Sequence, residues 1–173
     1  TQITQDNISK LKKYGIGVVE PQNGLLACGD TGAGKMPEPD FLFDVIEREI
    51  AREKDMLGKK VLVTAGATME SLDPVRFLTN HSSGKMGFAI AKEAMLRGAE
   101  VTVVKANTTA EIPNFVNVVE VLSASDMFDE VTKRADHQDI IVKAAAVADY
   151  TPESYVDSKI KKKDGDLSIP LKR

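Results

Sequence analysis

The stretch with the clearest chemical potential is "NHSSGKMGFAIAKEAM", which covers residues 80–95. Its small polar residues lead into apolar residues at helical spacing, which predicts a helix over residues 83–97 that Gly98 closes. The first turn of a helix carries N–H groups without internal partners and a partial positive charge. Serine hydroxyls can cap such a turn, glycines allow close approach, and a lysine adds a full charge. The stretch therefore predicts an anion-binding site formed by Ser82, Ser83, Gly84 and Lys85.

The loop before this helix, "ESLDPVRFLTNH" (70–81), brings further polar side chains to the same place. Arg76 is a cation, Asn80 carries an amide donor, and His81 follows it directly. The same residues also fit a capped helix with solvated polar neighbours. Physical chemistry alone leaves both interpretations open.

Two later segments could contact the same ligand. "AAAVADY" (144–150) ends a strand in small side chains, against which a planar base or a ribose could lie, and Asp149 could accept hydrogen bonds from hydroxyls. "SKIKKK" (158–163) is a basic run that could neutralise a polyphosphate. The alternatives are an alanine-rich buried strand and a solvated basic loop.

The second half of the sequence alternates strands with amphipathic helices. Strands are predicted at 60–66, 100–104, 116–121 and 139–148, and a second helix at 123–136. This alternation indicates an α/β fold, with a Rossmann-like, doubly wound parallel sheet. Ligands of such sheets bind beyond the carboxyl ends of the strands, where the loops after Gly66, Lys105 and Ala148 fall.

The first half is less regular. It predicts a helix end at 5–13, a short strand "IGVVEP" (16–21), and a loop rich in Gly and Pro at 23–39. A helix is then predicted over 40–55, with Asp40 as its N-cap. We expect a domain boundary near Gly58.

Three short motifs resemble nucleotide-binding signatures but lack an essential part of each. "GDTGAGKM" (29–36) has a methionine where a Walker loop needs Ser or Thr. A dinucleotide fingerprint would need its glycines tight against the first strand, whereas a long loop separates Gly66 from Gly84 and Gly87. "YVDSK" (155–159) has the Tyr-x-x-x-Lys spacing of short-chain reductases, but Pro152 and the polar run after it disfavour the helix that this chemistry needs.

Composition limits the remaining possibilities. With 173 residues, 42% hydrophobic, the chain can bury one core and part of another. A net charge of −3 gives no support for nucleic-acid or membrane binding, and no apolar run approaches the roughly 20 residues of a membrane span. One cysteine, Cys28, excludes an internal disulfide framework. We expect a cytoplasmic protein, and the strand-like "DLSIPLK" just before residue 173 predicts that the chain is incomplete at its C-terminus.

Taken in order and spacing, "TAGATMESLDPVRFLTNHSSGKMGFAIA", "KAAAVADY" and "KIKK" resemble the phosphopantothenoylcysteine synthetase half of bacterial bifunctional coenzyme A biosynthesis flavoproteins. The resemblance implies a ligase of two steps. The carboxylate of 4'-phosphopantothenate attacks the α-phosphate of CTP to give an acyl-cytidylate and pyrophosphate. The amine of L-cysteine then displaces CMP. Mg²⁺ is implied by the triphosphate, with ligands that the sequence does not identify.

The resemblance also assigns roles to single residues. Asn80 matches the asparagine that stabilises the acyl-cytidylate, Arg76 the arginine near an anionic group, and Lys159 the loop lysine needed for the second step. The nucleotide-binding residues it implies, with those predicted above, are Gly66, Asn80, Ser82, Ser83, Gly84, Lys85, Ala145, Ala146, Asp149 and Lys159.

The N-terminal "LLACGDTGAGKMPEP" resembles the end of the other half, a flavodoxin-like, FMN-dependent decarboxylase. Cys28 matches that family's proton donor and is expected to be idle here, with FMN bound only in the missing domain. We therefore expect residues 1–57 to be a decarboxylase segment with a linker helix and residues 58–173 to be the synthetase domain, which forms a homodimer. The alternatives are an NADP-dependent short-chain reductase, argued from "YVDSK" and Lys105, and a nucleotide-binding module without catalysis.

Overall fold

The structure is a computed structural model, and it describes residues 1–25, 29–162 and 165–173. The chain divides into two compact units, Thr1–Glu49 and Ile50–Arg173. The functional boundary expected after residue 57 stays a prediction. Cys28 lies outside the described residues.

The described residues of the first unit form two helices and one antiparallel strand pair. Helix α1 spans Gln2–Lys13, strand β1 spans Gln22–Leu25, strand β2 spans Thr31–Lys35, and helix α2 spans Pro39–Ile50. β1 and β2 pair antiparallel. The prediction of a strand at 16–21 was wrong, because pairing occurs instead within the segment predicted as a loop, where glycines tolerate a hairpin that propensity does not favour.

Helix α2 also differs from its prediction at both ends. It begins at Pro39, so Asp40 lies in its first turn and is not the N-cap. Proline suits this position because its missing N–H would have had no helical partner. The helix ends at Ile50 and does not continue to residue 55.

The second unit is built on a parallel sheet of four strands in the order β7-β6-β3-β8. β3 spans Lys60–Ala65, β6 Glu100–Lys105, β7 Asn117–Glu120 and β8 Ile140–Lys143, and the crossover helices are α3 (Lys85–Leu96) and α4 (Ala124–Ala135). Helix–strand alternation and the parallel sheet confirm the predicted α/β, Rossmann-like class. The first strand of the sheet is central, with later strands added on both sides, so the topological switch point lies between β3 and β8.

The two faces of the sheet bury different side chains because successive residues of a strand point to opposite faces. Val61, Val63 and Ala65 of β3 belong to the same buried cluster as Phe88 and Ala91 of α3. On the other face, the buried cluster consists of Leu62, Val104, Ala106 and Met127. The sheet is therefore covered on both sides, as its continuous apolar strands require.

Two small antiparallel pairs lie outside the main sheet. β4 (Met69–Ser71) pairs with β5 (Phe77–Thr79) inside the segment predicted as one long loop. β9 (Thr151–Pro152) pairs with β10 (Leu171–Lys172), so only two residues of the predicted strand "DLSIPLK" are paired. Both pairs depend on partners that single-sequence propensity does not identify. Within the described ranges, no helix is both long enough and apolar enough to cross a bilayer.

The packing of α3 on β3 leads to a stability prediction for Gly87. A Cβ built on Gly87 would lie 2.7 Å from the Ala65 Cβ and 2.9 Å from the Thr64 carbonyl oxygen. Helix propensity favours Ala over Gly by about 1 kcal/mol, but overpacking costs about 1–3 kcal/mol. Because the neighbouring atoms are backbone atoms and a Cβ that cannot rotate away, the overpacking cost should lie in the upper part of this range. We therefore expect Gly87→Ala to lower the free energy of unfolding by about 1–2 kcal/mol in urea denaturation followed by circular dichroism.

Met86→Ala is the matched control, because Met86 is 72% exposed one residue earlier on the same helix. It should leave the urea midpoint almost unchanged. A Gly87→Ala variant as stable as the control would contradict this close approach of helix and strand.

Candidate active site

Three loops at the carboxyl end of the sheet meet around Ala67, directly after β3. Ala67 forms one bridge to Asn107, after β6, and another to Ala146, after β8. The Ala67 N–H donates to the Asn107 carbonyl at 2.8 Å, and the Ala146 N–H donates to the Gly66 carbonyl at 2.8 Å. This is the predicted meeting point of the loops, and it lies at the topological switch point.

Glycines make this meeting point compact. Gly66 has φ +84°, and a Cβ there would collide with the Asn107 carbonyl oxygen. Gly84 has φ +78°, and its Cβ would lie 2.5 Å from the Thr108 hydroxyl and 3.3 Å from the Gly66 nitrogen. The chain thus folds the long insertion outward and brings Gly84 beside Gly66. The two glycines meet although a long loop separates them in sequence, because the β4–β5 hairpin takes up part of the intervening segment.

The start of α3 is capped by backbone conformation and not by a serine side chain. The cap residue is Gly84, and it has no side-chain cap hydrogen bond. The Ser82 and Ser83 hydroxyls are 3.4 and 3.5 Å from the N–H groups of Gly84 and Lys85, too long for strong hydrogen bonds. The prediction of serine caps was therefore wrong. Lys85, the first helical residue, is exposed beside this turn.

Thr108 holds the entrance to α3, a residue that the sequence analysis missed. Its hydroxyl donates to the Ser83 carbonyl at 2.6 Å and accepts from the Ala110 N–H at 3.1 Å. The Ser83 carbonyl also accepts from the Ala110 N–H at 3.2 Å. The loop after β6 thereby fixes the orientation of the helix start. Its position after a strand at the carboxyl edge was the only sequence signal for this role.

Two buried threonines shape the alanine segment, residues 144–148. The Thr64 hydroxyl accepts from the N–H groups of Ala144 and Ala145, both at 3.1 Å. The Thr68 hydroxyl accepts from the Ala148 N–H at 2.9 Å. These bonds replace ladder pairing, so β8 ends at Lys143 and the strand predicted to residue 148 is shorter. A polar residue inside an apolar strand, Thr64, was the available sequence signal.

Asn80 lies against the same alanine segment. Its side-chain nitrogen is 3.4 Å from the Val147 carbonyl oxygen and 3.5 Å from the Ala146 carbonyl oxygen, and the residue is exposed. Thr79, the residue before it, donates from its hydroxyl to the Thr68 carbonyl at 2.7 Å. The amide thus occupies a defined position, held by long hydrogen bonds that a ligand could replace.

Asp149 lines a neighbouring cavity of about 480 Å³. Buried Glu70 is on the same cavity, and its carboxylate accepts from the Ala124 N–H at the start of α4 at 2.9 Å. The start of α4 is also closed by a reciprocal capping box between Ser123 and Asp126. Hydrogen bonds from the Ser123 backbone and hydroxyl hold the pKa of Asp126 below its ordinary value.

Arg76 lies in the turn between β4 and β5 and contacts Ile160, the residue that follows Lys159. The Arg76 guanidinium donates to the Ile160 carbonyl and lies 3.5 Å from the Asp73 carboxylate. Burial acts to raise the pKa of Asp73, but N–H donors from Ile160, Val75 and Arg76 outweigh it and hold that pKa below its ordinary value. Lys159, directly before Ile160, is exposed.

No group of three or more His, Cys, Asp or Glu side chains that could hold a metal ion occurs among residues 1–25, 29–162 and 165–173. Apart from Asp149, which lines the neighbouring cavity, the predicted site residues that the structure describes form two groups. The first surrounds the carboxyl ends of β3 and β8 and contains Gly66, Asn80, Ser82, Ser83, Gly84, Lys85, Ala145 and Ala146. The second contains Arg76 and Lys159.

The chain matches two protein-family models. The model of the DNA/pantothenate metabolism flavoprotein C-terminal domain matches residues 56–173. The chain belongs to this family. A second model, described as flavoprotein, matches residues 1–51. The resemblance drawn from the sequence motifs is thus confirmed.

Relatives match this chain across both segments. The chain is 41% identical over 169 residues to the coenzyme A biosynthesis bifunctional protein CoaBC of Haemophilus influenzae and 42% identical over 170 residues to that of Bacillus subtilis. These matches cover 98% and 96% of the chain, respectively, and 42% of each relative. The crystal structure of a CoaBC C-terminal domain is similar with a TM-score of 0.58 at 44% identity, over 68% of this chain and 54% of that one. The chain thus spans less than half the length of the curated relatives it matches.

The threonine contacts generate a prediction for the alanine segment. Thr64→Val keeps the shape of the side chain but leaves the Ala144 and Ala145 N–H groups without their acceptor. We expect the variant to lose about 1–3 kcal/mol of stability and both amides to exchange faster with solvent, measured by hydrogen exchange.

Thr102→Val is the control, since Thr102 lies on the adjacent strand β6 and no hydrogen bond joins it to the alanine segment in the described chain. Equal exchange rates for Ala144 and Ala145 in both variants would show that the Thr64 hydroxyl does not shape this segment.

Proposed function

We propose that this chain carries the phosphopantothenate–cysteine ligase function of its family. The reaction activates 4'-phosphopantothenate with CTP as an acyl-cytidylate and then couples L-cysteine to give 4'-phosphopantothenoylcysteine. One observation carries the proposal: Gly66, Gly84 and the Asn80 amide converge beside the alanine segment at the switch point of the sheet. Identity of 41% to a CoaBC protein supports the same assignment.

In the first step, a carboxylate oxygen of the acid forms a bond to the α-phosphorus of the nucleotide. The bond from that phosphorus to the bridging oxygen breaks, and pyrophosphate leaves with the electron pair. Negative charge is the main obstacle, since both reactants are anions. The α3 start offers N–H groups and its dipole, and Lys85 adds a cation beside them.

In the second step, the cysteine amine attacks the acyl carbonyl, and CMP leaves with the electrons of the acyl–oxygen bond. Charge develops on the carbonyl oxygen as the tetrahedral species forms. The Asn80 amide is the donor available at this position, because its contacts to the Ala146 and Val147 carbonyls are long and exchangeable. Lys159 would neutralise the departing phosphate, as a lysine on a loop can.

The nucleoside would lie along the alanine segment. Ala145 and Ala146 present backbone groups without bulky side chains, and their geometry is fixed by Thr64 and Gly66. Asp149, on the adjoining cavity, would accept from ribose hydroxyls. We propose CTP as the nucleotide on family resemblance, because no side chain among the described residues of this site identifies a cytosine.

Mg²⁺ would be bound mainly through phosphate oxygens of the nucleotide, its usual ligands, and we assign no step to it. FMN would bind only in a complete decarboxylase domain, to which residues 1–57 would contribute a segment. A homodimer through the synthetase domain and a cytoplasmic location complete the proposal.

Asn80→Ala tests the assignment directly. Wild-type chain should release pyrophosphate from CTP only when 4'-phosphopantothenate is present. In Asn80→Ala we expect formation of the coupled product to fall by at least about 100-fold, since one lost donor to a developing oxyanion costs about that much. Coupled pyrophosphate detection and mass spectrometry of the product give the two rates.

Asn117→Ala is the matched control, an exposed asparagine at the amino end of β7. It should retain wild-type rates. A fully active Asn80→Ala variant would remove Asn80 from the mechanism. A wild-type chain that releases no pyrophosphate but shifts NADPH fluorescence would instead favour the reductase alternative.

A further inference from the structure

The basic loop after β9 is held by more hydrogen bonds to the rest of the chain than its lysine-rich composition suggests. We define the lysine loop as residues 153–170. The pairing of β9 with β10 closes its base, and the Glu153 N–H donates to the Pro170 carbonyl at 3.0 Å. A loop of this length, with several lysines and a glycine, would otherwise sample many conformations.

Two further contacts attach the first half of the lysine loop to the β4–β5 turn. The Val156 N–H donates to the Leu72 carbonyl at 3.1 Å. The Ile160 N–H donates to the Asp73 carboxylate at 3.1 Å, and the Ile160 carbonyl accepts from Arg76. Both polar groups of the Ile160 residue are therefore held, one by an anion and the other by a cation.

Asp73 is built as a rigid acceptor. Its side chain is fully buried, and its Oδ1 accepts from the N–H groups of Val75 and Arg76, both at 2.8 Å. The turn is closed by the Leu72 N–H, which donates to the Arg76 carbonyl at 2.8 Å. The turn alone would need only Oδ1. The second oxygen, Oδ2, is directed at the Ile160 N–H.

We propose that Asp73 is a positioning residue for Lys159. By holding the Ile160 peptide, Asp73 fixes the backbone next to Lys159. We define the clasp as the contacts of Asp73 and Arg76 with Ile160. The effect of the clasp on catalysis rests on the function proposed above, whereas the presence of the clasp does not depend on that function.

Through the clasp, the backbone beside Lys159 is attached to the same β4–β5 hairpin that leads into Asn80. Strand β5, which is three residues long, connects the β4–β5 turn to Asn80. That turn is the one that holds Ile160. Four residue steps of roughly 3.3 Å lead from Arg76 to Asn80, so the clasp and Asn80 lie about 13 Å apart along this strand. The ammonium and the amide would therefore act on different groups of one extended substrate, and their separation would change if the clasp opened.

Asp73→Asn should remove the bond to the Ile160 N–H and leave the turn intact. An asparagine keeps one oxygen for the Val75 and Arg76 N–H groups but presents an NH₂ group to the Ile160 N–H, which then has no acceptor. Asp139→Asn is the matched control. Asp139 also accepts a backbone N–H, that of Lys60 at 2.8 Å, but it lies at the amino end of the sheet.

Hydrogen exchange tests the clasp without any assay of activity. After correction for intrinsic rates, the Ile160 amide of the wild-type chain should exchange at least about tenfold more slowly than that of Lys161. Asp73→Asn should remove this difference and Asp139→Asn should not. Equal exchange at Ile160 and Lys161 in the wild-type chain would overturn the clasp, even if Asp73→Asn failed to fold.

Step-resolved kinetics test the positioning role. Asp73→Asn should slow the conversion of acyl-cytidylate to product by about tenfold, in the same direction as Lys159→Gln, and leave the first-turnover pyrophosphate burst within about twofold of wild type. Equal losses in both steps, or released exchange at Ile160 with an unchanged second step, would overturn the positioning role. A wild-type chain without any pyrophosphate release would instead overturn the proposed function, and exchange at Ile160 would still decide the clasp.

Discussion

The close packing of α3 against the carboxyl end of β3 is the constraint on which the rest of the site depends. Gly87 lets the helix lie directly on Ala65 and Thr64, and Gly84 brings its first residue beside Gly66. Because both contacts involve backbone, a larger side chain at either glycine would push the helix start away from the strand. The N–H groups of the first turn would then no longer face the switch point, where the other loops converge.

Backbone groups, positioned by buried side chains, form much of this site. Thr64 and Thr68 hold the alanine segment beside the end of β3, and Thr108 fixes the approach to α3. These hydroxyls bond backbone N–H and carbonyl groups directly and so fix the local path of the chain. The surface left for a ligand is consequently made of small residues in a defined conformation, which suits recognition of a flat or extended anion more than of an apolar molecule.

Sequence patterns predicted the elements whose information is local. Helix periodicity, buried strands and closing glycines gave the parallel sheet, and the motif resemblance gave the family. Pairing between short segments was missed: the β1–β2 and β4–β5 hairpins have weak propensity and depend on partners elsewhere in the chain. The serine caps were wrong for a related reason, because tertiary contacts of the Ser83 carbonyl favour a left-handed Gly84 over an ordinary cap.

The central claim is that a nucleoside triphosphate binds where β3, α3 and the alanine segment meet. The most direct measurement is a titration of ¹⁵N-labelled chain with CTP and Mg²⁺, monitored by amide chemical shifts. The claim predicts that the largest changes fall on Gly66, Gly84, Lys85 and residues 145–149, with NADPH causing none there. Changes concentrated elsewhere, with the amides of Gly66 and Gly84 unmoved at saturation, would contradict it.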